Sequence, residues 1–472
     1  MAETKMIANL KPYPEYKDSG SRWLGEVPKH WAIHNFRTLI TKRSERNRPD
    51  LPLLSVAREK GVFVRSLTDA NENHNVIPED LTNYKVARAG NLVINKMKAW
   101  QGSMGIAPCD GIVSPAYFVF DFRISNHAFG QVLLRSKPYV AHFGQASDGV
   151  RVGQWDLSIT GMRQIPVLVP KENEQDIIVR FLNHVNGQIE KTIRTKKKLI
   201  ALLNEQKQVI IHRAVIRGIE PNVKLKSTDS RWFSEIPDGW GVVTLRRVIV
   251  AAIDGPHFSP NYLDNGIPFL SARNIKIDRW SLEDAKYISE SDYNLFSKRV
   301  RPEIGDVLYT KGGTTGVARV VDLKFPFQVW VHIAVLKINR TRIDPEYLAL
   351  ALNSQRCYEQ SQLFTRGATN QDLGLGRMKN IELPLPPTIE VQKRIAEHLK
   401  SAFTAQNAGI SRIEREISLL REYRTRLTAD VVTGKLDVRA AAANLPSLSG
   451  EVIDAPVPYD PLDETETEEV EV

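Results

Sequence analysis

The sequence predicts an α+β protein in which two mixed α/β domains are separated by two long helices that pair as an antiparallel coiled coil. Three observations predict this class. Several sequence blocks recur at an offset of about 215 residues, which marks an internal repeat. Each copy opens with short β-rich runs interrupted by Gly, Pro and Asn turns. Each copy then closes with about 42 residues that lack proline and carry an apolar heptad pattern.

The internal repeat is carried by three pairs of blocks. Residues 21–31, SRWLGEVPKHW, align without a gap to residues 230–240, SRWFSEIPDGW, with six identities. The segment GNLVINK at 90–96 matches GDVLYTK at 305–311. Further on, Asp156-Leu157 matches Asp372-Leu373, and each pair precedes a strand that contains proline. These matches predict two copies of one unit related by pseudo-two-fold symmetry.

The repeat sets the predicted domain boundaries. Pro170 and Pro386 stop the last strand of each domain, and Gly218 and Gly434 are stop signals after each helix. The end of the chain, an Ala run followed by Pro-rich and acidic sequence, cannot bury enough apolar surface to order and is predicted to be disordered. The predicted segments are a first domain at 1–171, a spacer helix at 172–218, a second domain at 219–387, a second spacer helix at 388–436, and the disordered acidic tail at 437–472.

The two predicted helices carry narrow apolar seams. In the first helix apolar residues recur with heptad spacing from Ile178 through Leu199 to Ile210, and in the second from Ile395 to Leu427. A seam sustained over this length is typical of a coiled coil. At 1.5 Å per residue each helix is roughly 60 Å long, which is longer than a single domain needs.

The net charge of +9 combines two regions of opposite charge. Nine of the 55 acidic residues and none of the 64 Lys and Arg residues lie within residues 451–472. The other 450 residues therefore carry a net charge of +18. This excess favours a polyanionic partner.

The two cysteines, Cys109 and Cys357, lie far apart and lack the spacing of metal ligands, so the sequence predicts neither a disulfide framework nor a zinc site. The first residues lack the apolar run of a signal peptide, and no stretch is apolar enough to span a membrane. These features predict a cytoplasmic protein.

The repeated blocks resemble those of a known family. The twin SRWxxExPxxW starts, the Gly-Asn and Gly-Asp turns followed by Lys96 and Lys311, and the helix starts containing Gln175 and Gln392 resemble the specificity subunit of type I restriction-modification systems. The resemblance covers residues 15–438. It implies a target-recognition domain in each half of the chain, and the two domains would read a split sequence in double-stranded DNA. The acidic tail departs from the family's usual pattern.

The resemblance also implies partners. These would be two methyltransferase subunits, which modify an adenine, and two restriction/translocase subunits. S-adenosylmethionine, ATP and Mg²⁺ would be bound by those subunits. This chain would bind no cofactor or metal and hold no catalytic site.

Candidate DNA-contacting residues lie in two loops of each copy. A tight turn after residues 90–96 presents lysines beside side chains that stack on bases or hydrogen-bond to them, and its counterpart is Gly-rich. The loops ahead of the spacer helices hold Arg, Gln and Asn, which pair with guanine and adenine edges. A solvated surface loop is the alternative interpretation of each. The candidates are Lys96, Lys98, Trp100, Gln101, Arg151, Gln154 and Trp155 in the first copy, and Lys311, Thr314, Thr315, Arg366, Thr369, Asn370 and Gln371 in the second.

Motifs of a self-contained enzyme are missing from the sequence. The loop at residues 311–316 lacks the residue order of a P-loop, because its lysine precedes the glycines. Two alternatives to a specificity subunit remain, namely a self-sufficient DNA methyltransferase or nuclease with an unrecognised site, and a coiled-coil adaptor that binds proteins. The twin tryptophans could stack on bases, but a structural role suits their repeated positions better. They are Trp23, Trp31, Trp232 and Trp240.

Overall fold

The computed structural model describes residues 10–66, 80–149, 155–367, 371–443 and 445, and it divides the chain into two compact units. Unit 1 comprises residues 1–195 and 416–472, and unit 2 comprises residues 196–415. Each unit contains one mixed domain and one part of each long helix. The predicted fold class, with two mixed α/β domains and two long helices, is confirmed.

Unit 1 is built around a four-stranded antiparallel sheet in the order β4-β11-β8-β9. Smaller antiparallel pairs are β1 with β2, β3 with β14, β5 with β6, β7 with β10 and β12 with β13. The strands are Tyr16–Asp18 (β1), Glu26–Pro28 (β2), Ala32–Asn35 (β3), Ile40–Arg43 (β4), Leu54–Ala57 (β5), Gly61–Val64 (β6), Lys85–Ala87 (β7), Leu92–Asn95 (β8), Met104–Ile106 (β9), Gly111–Val113 (β10), Tyr117–Phe122 (β11), Ser147–Asp148 (β12), Asp156–Leu157 (β13) and Pro166–Val169 (β14). The helices are Phe36–Leu39 (α1), His127–Leu134 (α2), Lys137–Gln145 (α3), Ile159–Arg163 (α4) and Glu172–Arg217 (α5), whose last part belongs to unit 2; Ala99–Gln101 forms a 3₁₀ turn.

In the main sheet of unit 1, one end of each of the four strands lies at the same edge of the sheet. Every residue of β8 is buried, as expected for an inner strand covered on both faces. Because β11 is antiparallel to both β4 and β8, its first residues lie beside the last residues of those strands, with Tyr117 opposite Asn95. The loop that follows Asn95 therefore leaves the sheet at this edge.

Unit 2 repeats this arrangement, with a four-stranded antiparallel sheet in the order β18-β24-β21-β22. The pairs β15 with β16 and β17 with β25 correspond to β1 with β2 and β3 with β14. A further three-stranded sheet, β20-β19-β23, includes a parallel pair. The strands are Leu225–Ser227 (β15), Glu235–Pro237 (β16), Gly241–Thr244 (β17), Ile249–Asp254 (β18), Ile267–Leu270 (β19), Lys286–Ile288 (β20), Val307–Thr310 (β21), Ala318–Val320 (β22), Gln328–Val329 (β23), Ile333–Ile338 (β24) and Glu382–Leu385 (β25). The helices are Glu290–Ser297 (α6), Pro345–Leu352 (α7), Gln355–Phe364 (α8), Leu375–Met378 (α9) and Ile389–Val432 (α10), whose last part belongs to unit 1.

A buried glutamine at the start of each long helix makes the same contacts in both units. The amide oxygen of Gln175 accepts from the main-chain N–H of Asn126 at 3.1 Å, and that of Gln392 accepts from Asp344 at 2.8 Å. Asn126 and Asp344 are the N-cap residues of α2 and α7, and their side chains accept from the first turn of those helices. The repeated glutamine thus fixes a long helix to a capped domain helix.

The long helices contact each other in each unit, and in unit 2 they run antiparallel. In unit 1, Arg424 of α10 forms an ion pair with Glu190 of α5. In unit 2, Arg394 lies 3.0 Å from Glu220, and Lys207 donates to Asn407 at 2.6 Å. Along this part of the helix pair, residue numbers increase on α5 in the direction in which they decrease on α10.

The buried seam of α5 departs from the predicted one in unit 2. The predicted positions from Ile178 to Ile189 are buried, but Leu199 is 45% exposed, whereas the charged Lys207 is 6% exposed. A straight helix has 3.6 residues per turn, so its buried face drifts by about 20° per heptad away from a strict heptad pattern. Leu199 therefore lies on the exposed face, whereas Ile210 at the end of the predicted seam is half-buried against the apolar core of unit 2.

Part of the predicted disordered tail is ordered, which corrects that prediction for residues 437–443. Residues Arg439–Ala443 form a short helix, α11, and Val438 and Ala442 are fully buried in unit 1. The N–H of Asp437 donates to the carbonyl of Lys11 at 2.8 Å. Burial of these two apolar side chains offsets the loss of conformational entropy on ordering this short segment. The acidic residues 446–472 lie outside the described residues.

Candidate nucleic-acid interface

In unit 1 the two loops predicted to contact DNA lie together. The ammonium group of Lys96, which follows β8, lies 2.7 Å from a carboxylate oxygen of Asp156. The N–H of Leu157 donates to the carbonyl oxygen of Lys96 at 2.9 Å. The ring centroids of Trp100 and Trp155 are 5.3 Å apart. Two segments separated by about sixty residues therefore form one surface.

Unit 2 makes the same connection with the matching residues. The ammonium group of Lys311 lies 2.7 Å from Asp372, and the N–H of Leu373 donates to the carbonyl of Lys311 at 2.8 Å. We name this repeated contact the lysine–aspartate clasp. The sequence comparison matched each half of the clasp but missed that the halves touch. One feature of the sequence could have predicted the contact, because the lysine segment and the aspartate segment recur together in both copies.

The two clasps differ in burial and charge. Lys311 is 4% exposed and also lies 3.5 Å from Asp254, whereas the side chain of Lys96 is 32% exposed. Asp254 accepts from Arg299 at 2.5 Å. Burial alone would raise the pKa of Asp254, but hydrogen bonds from Arg299 and His257 and the charge of Lys311 outweigh it and lower that pKa. The clasp of unit 2 is therefore part of a buried charge network.

The other candidates of unit 1 line the surface beside the clasp. Lys98 is exposed, and Trp100, Gln101 and Trp155 are half-buried. The indole N–H of Trp100 donates to the carbonyl of Met97 at 3.1 Å, which orients the ring. Arg151 and Gln154 lie outside the described residues. Contact of these side chains with DNA stays a prediction.

The candidates of unit 2 divide into exposed and buried residues. Thr314, Arg366 and Gln371 are exposed, whereas Thr315 is 6% exposed and its side chain faces the interior. The main chains of Arg366 and Asp372 exchange two hydrogen bonds of 3.0 and 2.9 Å, which close the loop between them. Thr369 and Asn370 lie outside the described residues. Here too, contact with DNA stays a prediction.

The local structure explains why glycines follow Lys311. A Cβ atom at Gly312 would lie 2.2 Å from a ring nitrogen of His332, so only glycine fits there. Gly313 has a φ of +69°, in the left-handed region that favours glycine. The Gly-rich loop is therefore explained by packing and backbone conformation within unit 2.

The tryptophans of the twin starts support the interpretation of a structural role. Trp31 is fully buried and its indole N–H donates to Glu174 at 3.1 Å, while Trp240 is 7% exposed. Trp23 packs edge-on against Tyr139, and Trp232 is half-buried against the apolar core of unit 2.

The described residues contain neither a metal-binding group nor a membrane-spanning helix. In that part of the chain, no group of three or more His, Cys, Asp or Glu side chains is placed to hold a metal ion. Within the same residues, no helix is long and apolar enough to cross a membrane.

One feature of unit 1 was not predicted from the sequence. Lys85, at the edge of the main sheet, is buried.

The chain is similar in sequence to several known proteins. Residues 237–419 match the family described as the type I restriction modification DNA specificity domain. The chain is 24% identical over 281 residues to the type I restriction enzyme MjaVIII specificity subunit of Methanocaldococcus jannaschii, an alignment that covers 58% of this chain and 63% of that protein. It is 25% identical over 224 residues to the type I restriction enzyme StySPI specificity subunit of Salmonella potsdam, covering 46% of this chain and 47% of that protein. The alignments thus span between about half and somewhat under two thirds of these relatives' lengths.

A solved structure shares the fold. A chain from a study of complex assembly and conformational transition in a type I restriction-modification system superposes with a TM-score of 0.56 at 16% identity, and the match covers 87% of this chain and 99% of that chain. The fold and the paired loops define a protein with two mixed domains that share one internal structural repeat. Residues 237–419 of the chain therefore resemble the type I restriction modification DNA specificity domain.

Proposed function

We propose that this chain reads a split sequence in double-stranded DNA, one half with each unit, for a type I restriction-modification complex. One observation carries the proposal. The same clasp joins two loops in both units, but the side chains at the surface of those loops differ, with the exposed Lys98 and the half-buried Trp100 in unit 1 and the exposed Thr314 and Arg366 in unit 2. A common scaffold with different side chains is what two unlike half-sites require.

The exposed side chains suit distinct kinds of contact with DNA. Lys98 can neutralise a backbone phosphate next to the stacking surface of Trp100 and Trp155. Arg366 and Gln371 can hydrogen-bond to guanine and adenine edges in the major groove. The net charge of +18 on residues 1–450 makes phosphate contacts the main source of raw affinity, so binding weakens as salt rises.

The chemistry belongs to partner subunits in this proposal. Two methyltransferase subunits would bind S-adenosylmethionine and modify an adenine that is flipped out of the duplex. Two restriction/translocase subunits would use ATP and Mg²⁺. This chain would supply sequence reading and no catalytic group, and it would act in the cytoplasm, where chromosomal DNA is accessible.

The decisive experiment is co-expression of the chain with its methyltransferase subunit, followed by genome-wide mapping of methylated adenines. The expected result is one split motif, with two fixed half-sites around unread base pairs. Exchange of residues 226–386 for the matching segment of another specificity subunit should change one half-site and preserve the other. A continuous motif, or a change in both half-sites, would contradict the two-unit reading.

Two results would replace the proposal with another function. Methyl transfer or cleavage by the purified chain alone would identify a self-sufficient enzyme. Absence of sequence-selective DNA binding, even with the methyltransferase subunit present, would identify an adaptor that binds proteins. Loss of methylation after removal of this chain, with the methyltransferase subunit retained, is the result that the specificity role requires.

A further inference from the structure

A lysine is buried at the edge of the main sheet of unit 1. Lys85, the first residue of β7, is 8% exposed, and its ammonium group donates to the carbonyl of Tyr117 at 2.5 Å. Tyr117 is the first residue of β11 and lies opposite Asn95, the last residue of β8. The buried ammonium group therefore lies at the sheet edge from which the loop of Lys96 and Lys98 departs.

Further cations surround Lys85. The main chain of Arg46 forms an antiparallel bridge with that of Lys85, and Lys42 lies on β4 opposite Phe120 of β11. Burial lowers the pKa of Lys85, and the charges of Arg46, Lys42 and Lys96 lower it further. We name these four residues the basic cluster.

The carboxylates near the basic cluster have other partners. Asp156 is paired with Lys96, and Glu45 lies 2.5 Å from Arg88. Across the described residues of the chain, no carboxylate forms an ion pair with Lys42, Arg46 or Lys85. Three of the four cluster residues, Lys42, Arg46 and Lys85, therefore carry positive charge that no described carboxylate pairs with, whereas Lys96 is paired with Asp156.

Unit 2 shows that the fold does not require this ammonium group. Lys85 precedes Gly90 by five residues, and Val300 precedes Gly305 by the same interval. The two turns are built alike, since the N–H of each glycine donates at 2.9 Å to a carbonyl directly after the second strand that follows it, that of Ala107 after β9 and that of Val321 after β22. Val300 is 4% exposed within an apolar core cluster. An apolar side chain thus serves at the matching position.

Burying a cation among like charges disfavours the folded state, so Lys85 costs stability in the free protein. An anion bound at this edge would offset that cost. A phosphate group suits the cluster because its oxygens accept several hydrogen bonds from ammonium and guanidinium donors at once. Duplex DNA presents such groups at regular intervals along its backbone.

We propose that Lys42, Arg46, Lys85 and Lys96 form a binding site for a backbone phosphate of double-stranded DNA, an assignment that rests on the proposed function of the chain. The bound phosphate sets the register of unit 1 on the duplex and directs Lys98 and Trp100 toward the groove. Unit 2 has a valine in place of the buried lysine, so the two units hold the DNA backbone by different contacts.

The test compares the full-length protein with its Lys85→Met variant, which keeps the aliphatic stem and removes the charge. Binding to a fluorescent DNA duplex that contains the mapped target is measured across a series of salt concentrations, and thermal unfolding is measured without DNA. The variant should bind about tenfold more weakly at low salt, and the slope of log affinity against log salt should fall by about one phosphate contact. Its melting temperature should equal or exceed that of the wild type, because a buried charge has been removed.

Two control variants separate the possible causes. Lys29→Met removes the same charge from an exposed lysine of unit 1 that is paired with Glu15, and it should bind DNA like the wild type. Combined Lys42→Gln and Arg46→Gln substitutions alter exposed residues and should weaken binding with a reduced salt slope even if Lys85→Met unfolds.

Each remaining outcome overturns the assignment in a recognisable way. Unchanged affinity and salt slope in both cluster variants would show that no phosphate binds there. A cluster variant that binds DNA normally but loses the methyltransferase subunit would identify a protein contact instead. A wild-type protein that binds no duplex, alone or with that subunit, would reject the proposed function together with this site.

Discussion

The ammonium group of Lys207 on α5 donates a 2.6 Å hydrogen bond to the side-chain oxygen of Asn407 on α10, in the buried seam of unit 2. The same group lies 3.6 Å from Asp278 and 5.7 Å from the centre of the Phe403 ring. A polar pair inside a helix seam specifies which residues face each other, because any other register would separate the buried ammonium group from Asn407.

Replacing Lys207 should therefore destabilise unit 2. We expect Lys207→Met to lower the free energy of unfolding by about 1–3 kcal/mol, since Asn407 and Asp278 lose a charged donor. Chemical denaturation of the full-length protein measures the change. Lys198→Met, an exposed lysine on the same helix, should stay within about 0.5 kcal/mol of the wild type. Fully additive effects of Lys207→Met and Asn407→Ala would contradict a direct coupling.

The two clasps should respond unequally to the same substitution. Lys311→Met leaves Asp372 without its counterion and removes one of the cations around the buried Asp254, so it should cost about 3–5 kcal/mol. Lys96→Met breaks an exposed pair and should cost less than about 1 kcal/mol. Unfolding curves of both variants give the comparison, and adding Asp372→Asn to Lys311→Met should restore part of the loss. Equal costs would show that burial does not set the strength of the clasp.

Exposed loop residues of the two units should affect DNA binding in different ways. Lys98→Ala should weaken binding to all sequences and reduce the salt slope by about one, whereas Arg366→Ala should cost about 1–3 kcal/mol on the correct base and relax one position of one half-site. Binding assays with a panel of duplexes that carry single base changes separate these effects. Relaxation of both half-sites by Arg366→Ala would contradict the assignment of one half-site to each unit.

The buried Asp254 should make unit 2 sensitive to acid. Its pKa is lowered in the folded state, so it contributes stability above its ordinary pKa of 3.8, and that contribution is lost as the pH falls through the lower folded value. Asp254→Asn should therefore be less stable than the wild type near pH 7, and the difference should shrink below about pH 4. Denaturation at a series of pH values measures it. The exposed Asp264→Asn variant is the control, and a constant difference at all pH values would refute the linkage.

The segment at residues 437–443 should stabilise unit 1. Deleting residues 437–472 removes the buried side chains of Val438 and Ala442 and should lower the free energy of unfolding by about 2–4 kcal/mol. Deleting only residues 446–472 is the matched control and should change it by less than about 0.5 kcal/mol. The docking of α11 would be disproved if the two deletions had equal effects in the same denaturation assay.

The sequence alone determined the repeat and the elements built from it. Trp31 and Trp240, Gln175 and Gln392, and the helix stop signals occur at matching positions in the two copies, and local patterns such as heptads and turn residues depend only on neighbours along the chain. The fold class and the family resemblance follow from these features. The same patterns located the loops that carry the candidate residues.

Only the tertiary structure decided which of those residues meet. Lys311 and Asp372 are sixty-one positions apart, and their contact depends on how β21 and the loop before α9 pack, which no local pattern encodes. Burial likewise distinguishes Thr315 from its loop neighbour Thr314, and Lys85 on β7 from the exposed Lys42 on β4, because the tertiary packing of each unit sets which side chains face its interior. The drift of α5 away from a strict heptad brought Lys207 rather than Leu199 into the seam, since packing follows 3.6 residues per turn while the predicted pattern follows 3.5.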